Sequence, residues 1–290
     1  MKRYIIVFLF LVYSITMRAQ LAEVQANYNS AGDVDFIAYN NTPAPLFIHI
    51  EFADMENARF NEPLPYIKLL DPGFNTLFTL LRDPGADVPR FNYQIKTYRS
   101  NPFAFSDLDF PYLIPFAPGE EARIFDVKSI EGFMGSQNIS SFNATGFAAQ
   151  PRQQVFAART GTVVEVAGTS RSGDPLHWYH TWNNTITLLH PDGTLISYRN
   201  VIDPDKKLKP GGRIAAGQPI GIVAPGTSEV ILMIFQHSLN SNELRFMIPQ
   251  FVTGENETGM LLPSQVYSIV HPSDIRGLEL TKKEKRLFLK

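Results

Sequence analysis

Short apolar stretches that alternate with polar residues, and that end at Pro, Gly or Asn, constrain the fold of this chain most. Residues 33–39 and 46–52 both show this period of two, and the Asn and Pro residues within 40–43 supply turn chemistry between them. Such alternation places apolar side chains on one face of a half-buried strand. The pattern predicts an all-β chain that begins with a β-sandwich-like domain over residues 21–128.

The first twenty residues have the three parts of a secretory signal. Lys2 and Arg3 precede an apolar run at residues 4–13, and a more polar stretch follows it. The run is too short to cross a hydrocarbon layer of ~30 Å comfortably, which favours a cleaved signal peptide over residues 1–20. No later stretch approaches the ~18 apolar residues that a spanning helix needs. We therefore expect an exported protein without a transmembrane segment in its mature chain.

Composition excludes several classes of site. The chain has no cysteine, which excludes disulfides, thiolate metal ligands and a lipid-modified cysteine. Its 26 basic and 28 acidic residues give a net charge of -2 and are scattered along the sequence, so we expect no nucleic-acid partner. With 290 residues the chain is long enough for two domains.

A different texture follows the predicted sandwich. Residues 129–154 are rich in Ser, Asn, Gln and Gly and predict a connecting segment. Residues 155–275 contain short strands separated by Gly-bearing turns, with one strand predicted over residues 155–165. Asp192 and Gly193 form a turn signal typical of a β-hairpin. We expect a second all-β domain here.

The last residues of the chain, 276–290, predict a basic helical tail. Thr281 is followed three residues later by Glu284, which is the spacing of a capping box. A solvated terminal helix is the simplest interpretation of this tail.

Several segments of the second domain resemble, in order and in spacing, the LytM/lysostaphin-type zinc endopeptidase family. These segments are residues 155–165, 184–194, 198–201 and 209–221. The resemblance covers about residues 133–236, and it implies a small β-barrel, the duplicated hybrid motif. Members of this family are zinc hydrolases that cut peptide cross-links in bacterial peptidoglycan. Their metal takes three protein ligands and leaves one position open for the water that it activates.

Other residues occupy the positions at which the family carries its metal ligands and catalytic histidines. A His before the first strand falls on Phe142, or on Gln137 in a longer-spaced variant, and an Asp falls on Gly146. A His-x-His strand falls on Leu232 and Ile234. A further histidine falls on Asn200, which can form hydrogen bonds but cannot accept a proton near neutral pH. The sequence therefore predicts a degenerate member of the family, with no catalytic residues and no zinc.

A relocated zinc site is the alternative. Asp174, His177, His180 and His190 lie close in sequence, and His-x-x-His spacing can chelate a metal in a loop. His190 corresponds to a barrel-strand position in the family, which favours a structural role for it.

The aromatic residues of the same segment are candidate binding residues. Trp178, Tyr179 and Trp182 could stack on sugar rings or on a peptide, and Asn200 is added for its hydrogen-bonding capacity. Ordinary packing of this segment is the alternative interpretation.

Three functions remain open on the sequence. The first is a non-catalytic binding or regulatory module of cell-wall remodelling, with a surviving groove that binds peptidoglycan or an envelope protein such as a cell-wall hydrolase. The second is an active zinc metalloendopeptidase on peptidoglycan with relocated ligands, and the third is a purely structural envelope protein. The Ala19-Gln20 end of the signal and the sandwich-plus-barrel order resemble exported proteins of Gram-negative bacteria. We therefore expect the periplasm or the cell surface.

Overall fold

The computed structural model describes residues 21–128, 140–168, 184–238 and 244–289. Within these ranges the chain is almost entirely β-structure, with two short helices near its C-terminal end. The predicted all-β class is therefore confirmed. No helix in the described ranges is long and apolar enough to cross a membrane.

The first unit is a β-sandwich. Its strands are β1 (Ala22–Tyr28), β2 (Val34–Asn40), β3 (Leu46–Glu56), β4 (Ala58–Arg59), β5 (Tyr66–Leu70), β6 (Gly73–Arg82) and β7 (Arg90–Tyr98). They form two antiparallel sheets with the orders β1-β2-β6-β4 and β5-β3-β7. Alternate residues of both sheets, among them Phe36, Ile48 and Leu80, share one buried core. Phe36 lies at its centre and stacks on Phe78 with ring centroids 4.6 Å apart.

The second unit is built on a larger antiparallel sheet. Its strands are β8 (Pro111–Tyr112), β9 (Glu121–Asp126), β10 (Thr145–Ala148), β11 (Gln154–Phe156), β12 (Gly161–Ala167), β13 (Thr185–Leu189), β14 (Leu195–Arg199), β15 (Val201–Ile202), β16 (Arg213–Ile214), β17 (Pro219–Val223), β18 (Glu229–His237), β19 (Leu244–Met247), β20 (Gln250–Gly254), β21 (Glu257–Gly259) and β22 (Val266–Ser268). The large sheet has the order β16-β12-β13-β14-β18-β10-β9-β22, with β19 also paired to β18. Two three-stranded sheets, β11-β17-β15 and β21-β20-β8, accompany it.

The turn residues Asp192 and Gly193 correctly predicted a β-hairpin, which is formed by β13 and β14. β13 and β14 pair in antiparallel register from Thr185↔Arg199 to Leu189↔Leu195, and Gly193 in the turn has a φ of 86°. A positive φ is unfavourable for residues with a Cβ, which is why glycine suits this position. The predicted hairpin is confirmed.

The single strand predicted over residues 155–165 is wrong. The chain forms β11 and β12 there, and these strands belong to different sheets. Between them the backbone of Ala158 leaves both sheets, because its N–H donates to the hydroxyl of Tyr198 (2.7 Å) and its carbonyl accepts from Leu113 (2.8 Å). A side chain and a backbone N–H that are distant in sequence thus interrupt a stretch that looks continuous.

The second unit takes strands from both sides of residue 128, and its core includes side chains of the sandwich. β9 lies before residue 128 yet pairs with both β10 and β22, and β8 pairs in parallel with β20. Ala44 and Phe47 of the sandwich pack in one cluster with Leu195 and Phe235 of the second unit. The domain boundary at residue 128 remains a prediction, and the hydrogen-bonded sheet extends across it.

The C-terminal helices are short, α1 (Ser273–Arg276) and α2 (Lys282–Phe288). Thr281 caps α2 by accepting from the Glu284 N–H, and the Glu284 side chain accepts from the Thr281 N–H. The predicted capping box is confirmed.

Candidate functional site

Leu232 and Ile234, which stand at the His-x-His positions of the resemblance, are part of the hydrophobic core. β18 carries both, with each side chain 1% exposed. Leu232 lies opposite Tyr198 on one side and opposite Thr145 on the other. They pack in the same cluster as Tyr198, on the face of the sheet that also receives Phe147.

Gly146 and Phe142, which stand at the remaining two ligand positions, lie on the other face of that sheet. Gly146 pairs with Ile231, and a Cβ added to it would overlap the ring of Phe125. Phe142 packs against Phe246 with ring centroids 5.2 Å apart. Because successive side chains of a strand point to opposite faces, Gly146 cannot share a site with Leu232.

The zinc ion that the resemblance implies does not fit these residues. Zinc in proteins is held by His, Cys, Asp or Glu side chains, and Leu232, Ile234, Gly146 and Phe142 supply none of these. A shift of one position along β10 brings Thr145 to the correct face, and a threonine hydroxyl is not a usual zinc ligand. The described ranges contain no group of three or more His, Asp or Glu side chains that could hold a metal ion.

Aromatic residues from distant parts of the chain cover the face that carries Leu232. Phe116 contacts Phe147 and Phe147 contacts Phe251, both with ring centroids 5.9 Å apart. Tyr112 completes the layer, 6.3 Å from Phe251. Leu232 and Ile234 are therefore covered by packing, while Thr145 and Asp126 line a cleft of about 220 Å³ farther along the same face. The groove expected from the sequence, with residues 169–182 along one wall, stays a prediction because that segment lies outside the described ranges.

Asn200 follows β14 at a tight turn. Its φ of 67° lies in the left-handed region, which asparagine tolerates better than most residues. Its carbonyl accepts from the Ala224 N–H (2.8 Å), and its side-chain amide donates weakly to Glu229 (3.4 Å). These contacts account for Asn200 as a turn residue, and its role in binding stays a prediction.

A buried ion cluster that the sequence did not reveal surrounds Arg159. Its guanidinium donates to Asp192 (2.8 Å), to both oxygens of Glu279 (2.7 Å at the closest) and to the hydroxyl of Tyr112 (3.0 Å). The same group lies 3.7 Å from the ring centroid of Phe110. The cluster joins the turn before β14 to the segment between the two C-terminal helices. The sequence feature that could have indicated this cluster is the position of the charged Arg159 within a largely apolar stretch.

His190 lies beside this cluster in a neutral form. Its Nδ1 contacts the carbonyl of Thr160 (2.9 Å), which places the ring proton on that nitrogen. Burial, reinforced by the positive charge of Arg159, lowers the pKa of His190 to about 3. Burial likewise raises the pKa of Tyr112 to about 12. His190 therefore acts as a structural hydrogen-bond donor at neutral pH.

The other residues of the relocated metal site and the aromatic binding residues lie outside the described ranges. These are Asp174, His177, Trp178, Tyr179, His180 and Trp182. Their roles stay predictions. His190, the member that is described, is committed to Thr160 and is 2% exposed.

A cleft of about 390 Å³ lies between the two units. Its walls are mostly apolar and come from both sides, with Pro45, Phe47 and Leu69 of the sandwich facing Leu189 and Pro191 of the second unit. Asp71 and Arg213 add opposite charges to the lining. Arg213 is ion-paired with Glu284 of α2 (2.6 Å). Clefts of this size with mixed lining are common binding sites, and they often lie between domains.

Comparison with known proteins gives structural neighbours only. No family model matches the chain, and no curated protein matches it. The structural neighbours are peptidases of the lysostaphin, LytM and M23 types.

Three of these neighbours illustrate the likeness. The lysostaphin catalytic domain from Staphylococcus simulans is 22% identical, with 44% of this chain and 84% of that chain covered and a TM-score of 0.28. The M23 metalloprotease pseudoalterin from the deep sea is 14% identical (56% and 97% covered, TM-score 0.33). Helicobacter pylori Csd3 is 12% identical (88% and 54% covered, TM-score 0.34). At these TM-scores the neighbours assign neither a family nor an activity to this chain.

Proposed function

We propose that this chain is a non-catalytic binding or regulatory module of cell-wall remodelling, with a degenerate LytM-type domain. The observation that carries the proposal is the packing of Leu232 and Ile234. At positions where the resemblance calls for catalytic and metal-binding histidines, these side chains are 1% exposed and sit in an apolar core. A hydrolytic site needs polar groups that substrate and water can reach, and the positions of Leu232 and Ile234 offer none.

The cleft between the units is the surface that we assign to binding. Its six apolar lining residues suit the side chains and backbone of an extended peptide, and the charges of Asp71 and Arg213 suit its polar groups. Peptidoglycan peptides and segments of envelope proteins such as cell-wall hydrolases both have this chemistry. A ligand held there contacts both units at once.

The proposed location is the periplasm or the cell surface of a Gram-negative bacterium. The signal-like pattern of residues 1–20 supports export. A fluorescent protein fused to this chain should leave the cytoplasm when residues 1–20 are present and stay there when they are removed. Retention of both fusions in the cytoplasm would contradict the proposed location.

Metal content and hydrolysis test the catalytic part of the proposal. The protein, purified and dialysed against micromolar zinc, is analysed for bound metal by mass spectrometry and incubated with purified peptidoglycan. We expect less than one tenth of a zinc ion per chain, as an order of magnitude, and no release of peptide fragments. One tightly bound zinc together with cleavage would make the chain a peptidase, with Asp174, His177 and His180 as the ligands to examine.

Co-sedimentation tests the binding part. Wild-type protein is pelleted with peptidoglycan sacculi and, separately, mixed with purified cell-wall hydrolases. Leu69→Glu places a charge in the cleft at a side chain that is 43% exposed, and Val88→Glu, at a side chain that is 55% exposed and outside the cleft lining, is the matched control. We expect Leu69→Glu to weaken binding at least about five-fold and Val88→Glu to leave it unchanged. Equal effects of both variants would remove the cleft from the proposal, and no binding by the wild type would favour the structural envelope protein.

A further inference from the structure

β1 forms an open edge of the sandwich. It pairs only with β2, and it is the outermost strand of its sheet. The pairing runs without a register shift from Ala22↔Asn40 to Tyr28↔Val34. The outer side of β1 therefore presents the N–H and C=O groups of alternate residues over a seven-residue strand, and no other described strand pairs with them.

The other edges of the sandwich carry the features that block strand addition, and β1 does not. β7 begins directly after Pro89 and carries Arg90 and Lys96, while β5 is only five residues long and directly follows Pro65. Prolines, basic side chains and short length are common ways of protecting a sheet edge. The sequence of β1, AEVQANY, has no proline and no basic residue.

The side chains of β1 are complementary to a second copy of β1 in antiparallel orientation. With Gln25 on a twofold axis, Glu23 lies opposite Asn27 of the second copy and Val24 lies opposite Ala26. No like charges meet, and residues of one face meet residues of the same face. Val24 and Ala26 are only partly buried at the margin of the sandwich core, so a second β1 would extend the apolar face that they begin.

We propose that β1 is a self-association edge, through which two copies of this chain join their four-stranded sheets into one continuous sheet centred on Gln25. Seven paired residues span roughly 23 Å, which is short for a permanent interface. The dimer is therefore weak, with dissociation in the micromolar range or above. A symmetric dimer doubles the number of clefts, and paired weak sites raise affinity for a repetitive surface.

Single cysteines test the register directly, because the natural chain has none. The chain from Leu21 onward, which contains every described strand, is prepared as Gln25→Cys and as Glu23→Cys and then oxidised. Cross-strand Cβ atoms at the axis are about 4.5–5.5 Å apart, close to disulfide range. Two copies of residue 23 are about 13 Å apart along the strands, so Glu23→Cys is the matched control, and its side chain is more exposed than that of Gln25.

We expect rapid disulfide dimers of Gln25→Cys, little dimer of Glu23→Cys, and mixed dimers when Glu23→Cys is combined with Asn27→Cys. Equal cross-linking of Gln25→Cys and Glu23→Cys would overturn the proposal, because it indicates random collision. Absence of cross-linking in both, with a monomer by sedimentation at several hundred micromolar, would also overturn it.

Charge substitution at the axis provides an independent readout. Gln25→Glu and Gln25→Lys each place two like charges opposite one another, which weakens the dimer by about 2- to 5-fold. Mixing the two variants brings opposite charges together and restores association. If the mixture sediments like the separate variants, Gln25 does not lie on the axis and the proposed register is wrong.

Discussion

Replacement of Arg159 by methionine tests whether the buried ion cluster holds the C-terminal segment in place. The wild-type guanidinium makes hydrogen bonds to Asp192, Glu279 and Tyr112 and lies over the ring of Phe110. Arg159→Met keeps much of the side-chain volume and removes all of these contacts. Asp192 and Glu279 then remain as two carboxylates whose side chains are only 14% exposed.

The expected loss follows from two largely buried carboxylates that lose the charge and the hydrogen bonds of Arg159. Removal of one partner from a buried ion pair costs about 3–5 kcal/mol, because the remaining charge is still desolvated. The loss should shrink as pH falls. In the variant, burial raises the pKa of both carboxyls and the guanidinium of Arg159 no longer opposes this shift. The folded form therefore takes up protons that the unfolded form has released. We expect the difference in free energy of unfolding to fall by about 1–2 kcal/mol between pH 7.5 and pH 5.

Urea denaturation followed by circular dichroism at both pH values measures these quantities. Arg59→Met is the matched control, because Arg59 pairs with Asp83 at the surface (3.1 Å), where the side chains are 53% and 42% exposed. Its effect should stay below about 1 kcal/mol at either pH. A loss below about 1 kcal/mol for Arg159→Met, or a loss that does not change with pH, would refute the reasoning.

Three further predictions concern the second unit. The free energy of unfolding should fall as pH is lowered from 6.5 toward 3, by up to about 1.4 kcal/mol per pH unit from His190 alone, because the unfolded imidazole binds a proton that the folded one excludes. In urea titrations, His190→Gln should reduce this dependence of stability on pH. An unchanged dependence would mean that another group causes it. The double variant Leu232→His/Ile234→His should bind no zinc at micromolar concentration, since both positions are enclosed in the apolar core. Stoichiometric zinc in mass spectrometry would contradict the described geometry. Tyr198→Phe should lower the free energy of unfolding by about 1–3 kcal/mol, measured by heat or urea, because the buried N–H of Ala158 loses its acceptor. An unchanged free energy of unfolding would mean that water replaces the hydroxyl.

The sequence predicted best what short-range chemistry decides. Alternation identified the sandwich strands, the Asp192-Gly193 turn identified the β13–β14 hairpin, and Thr281 with Glu284 identified the cap of α2. Each of these depends on residues only a few positions apart. Their local preference and their tertiary environment agree, so pattern alone was sufficient.

Long-range contacts account for what was missed. The break between β11 and β12 depends on the hydroxyl of Tyr198, forty positions away from Ala158. The ion pair between Arg159 and Glu279 joins residues 120 positions apart. The placement of Gly146 on the opposite face from Leu232 depends on the register of two strands that are far apart in sequence. No local pattern encodes such pairings. The sequence could therefore indicate the candidate site, but not the packing that covers Leu232 and Ile234.

The second unit depends on a strand that lies before residue 128, so a cut at that residue does not separate two independent domains. β9 is supplied from before the connecting segment, yet it is hydrogen-bonded to β10 on one side and to β22 on the other. A protease cut between residues 128 and 140 would break the chain and still leave both fragments associated through that strand. A gene rearrangement that moved only residues 129–290 to a new partner would leave the edge strand β22 without the strand that joins it to the large sheet. The second unit is thus complete only together with the strand that precedes residue 128.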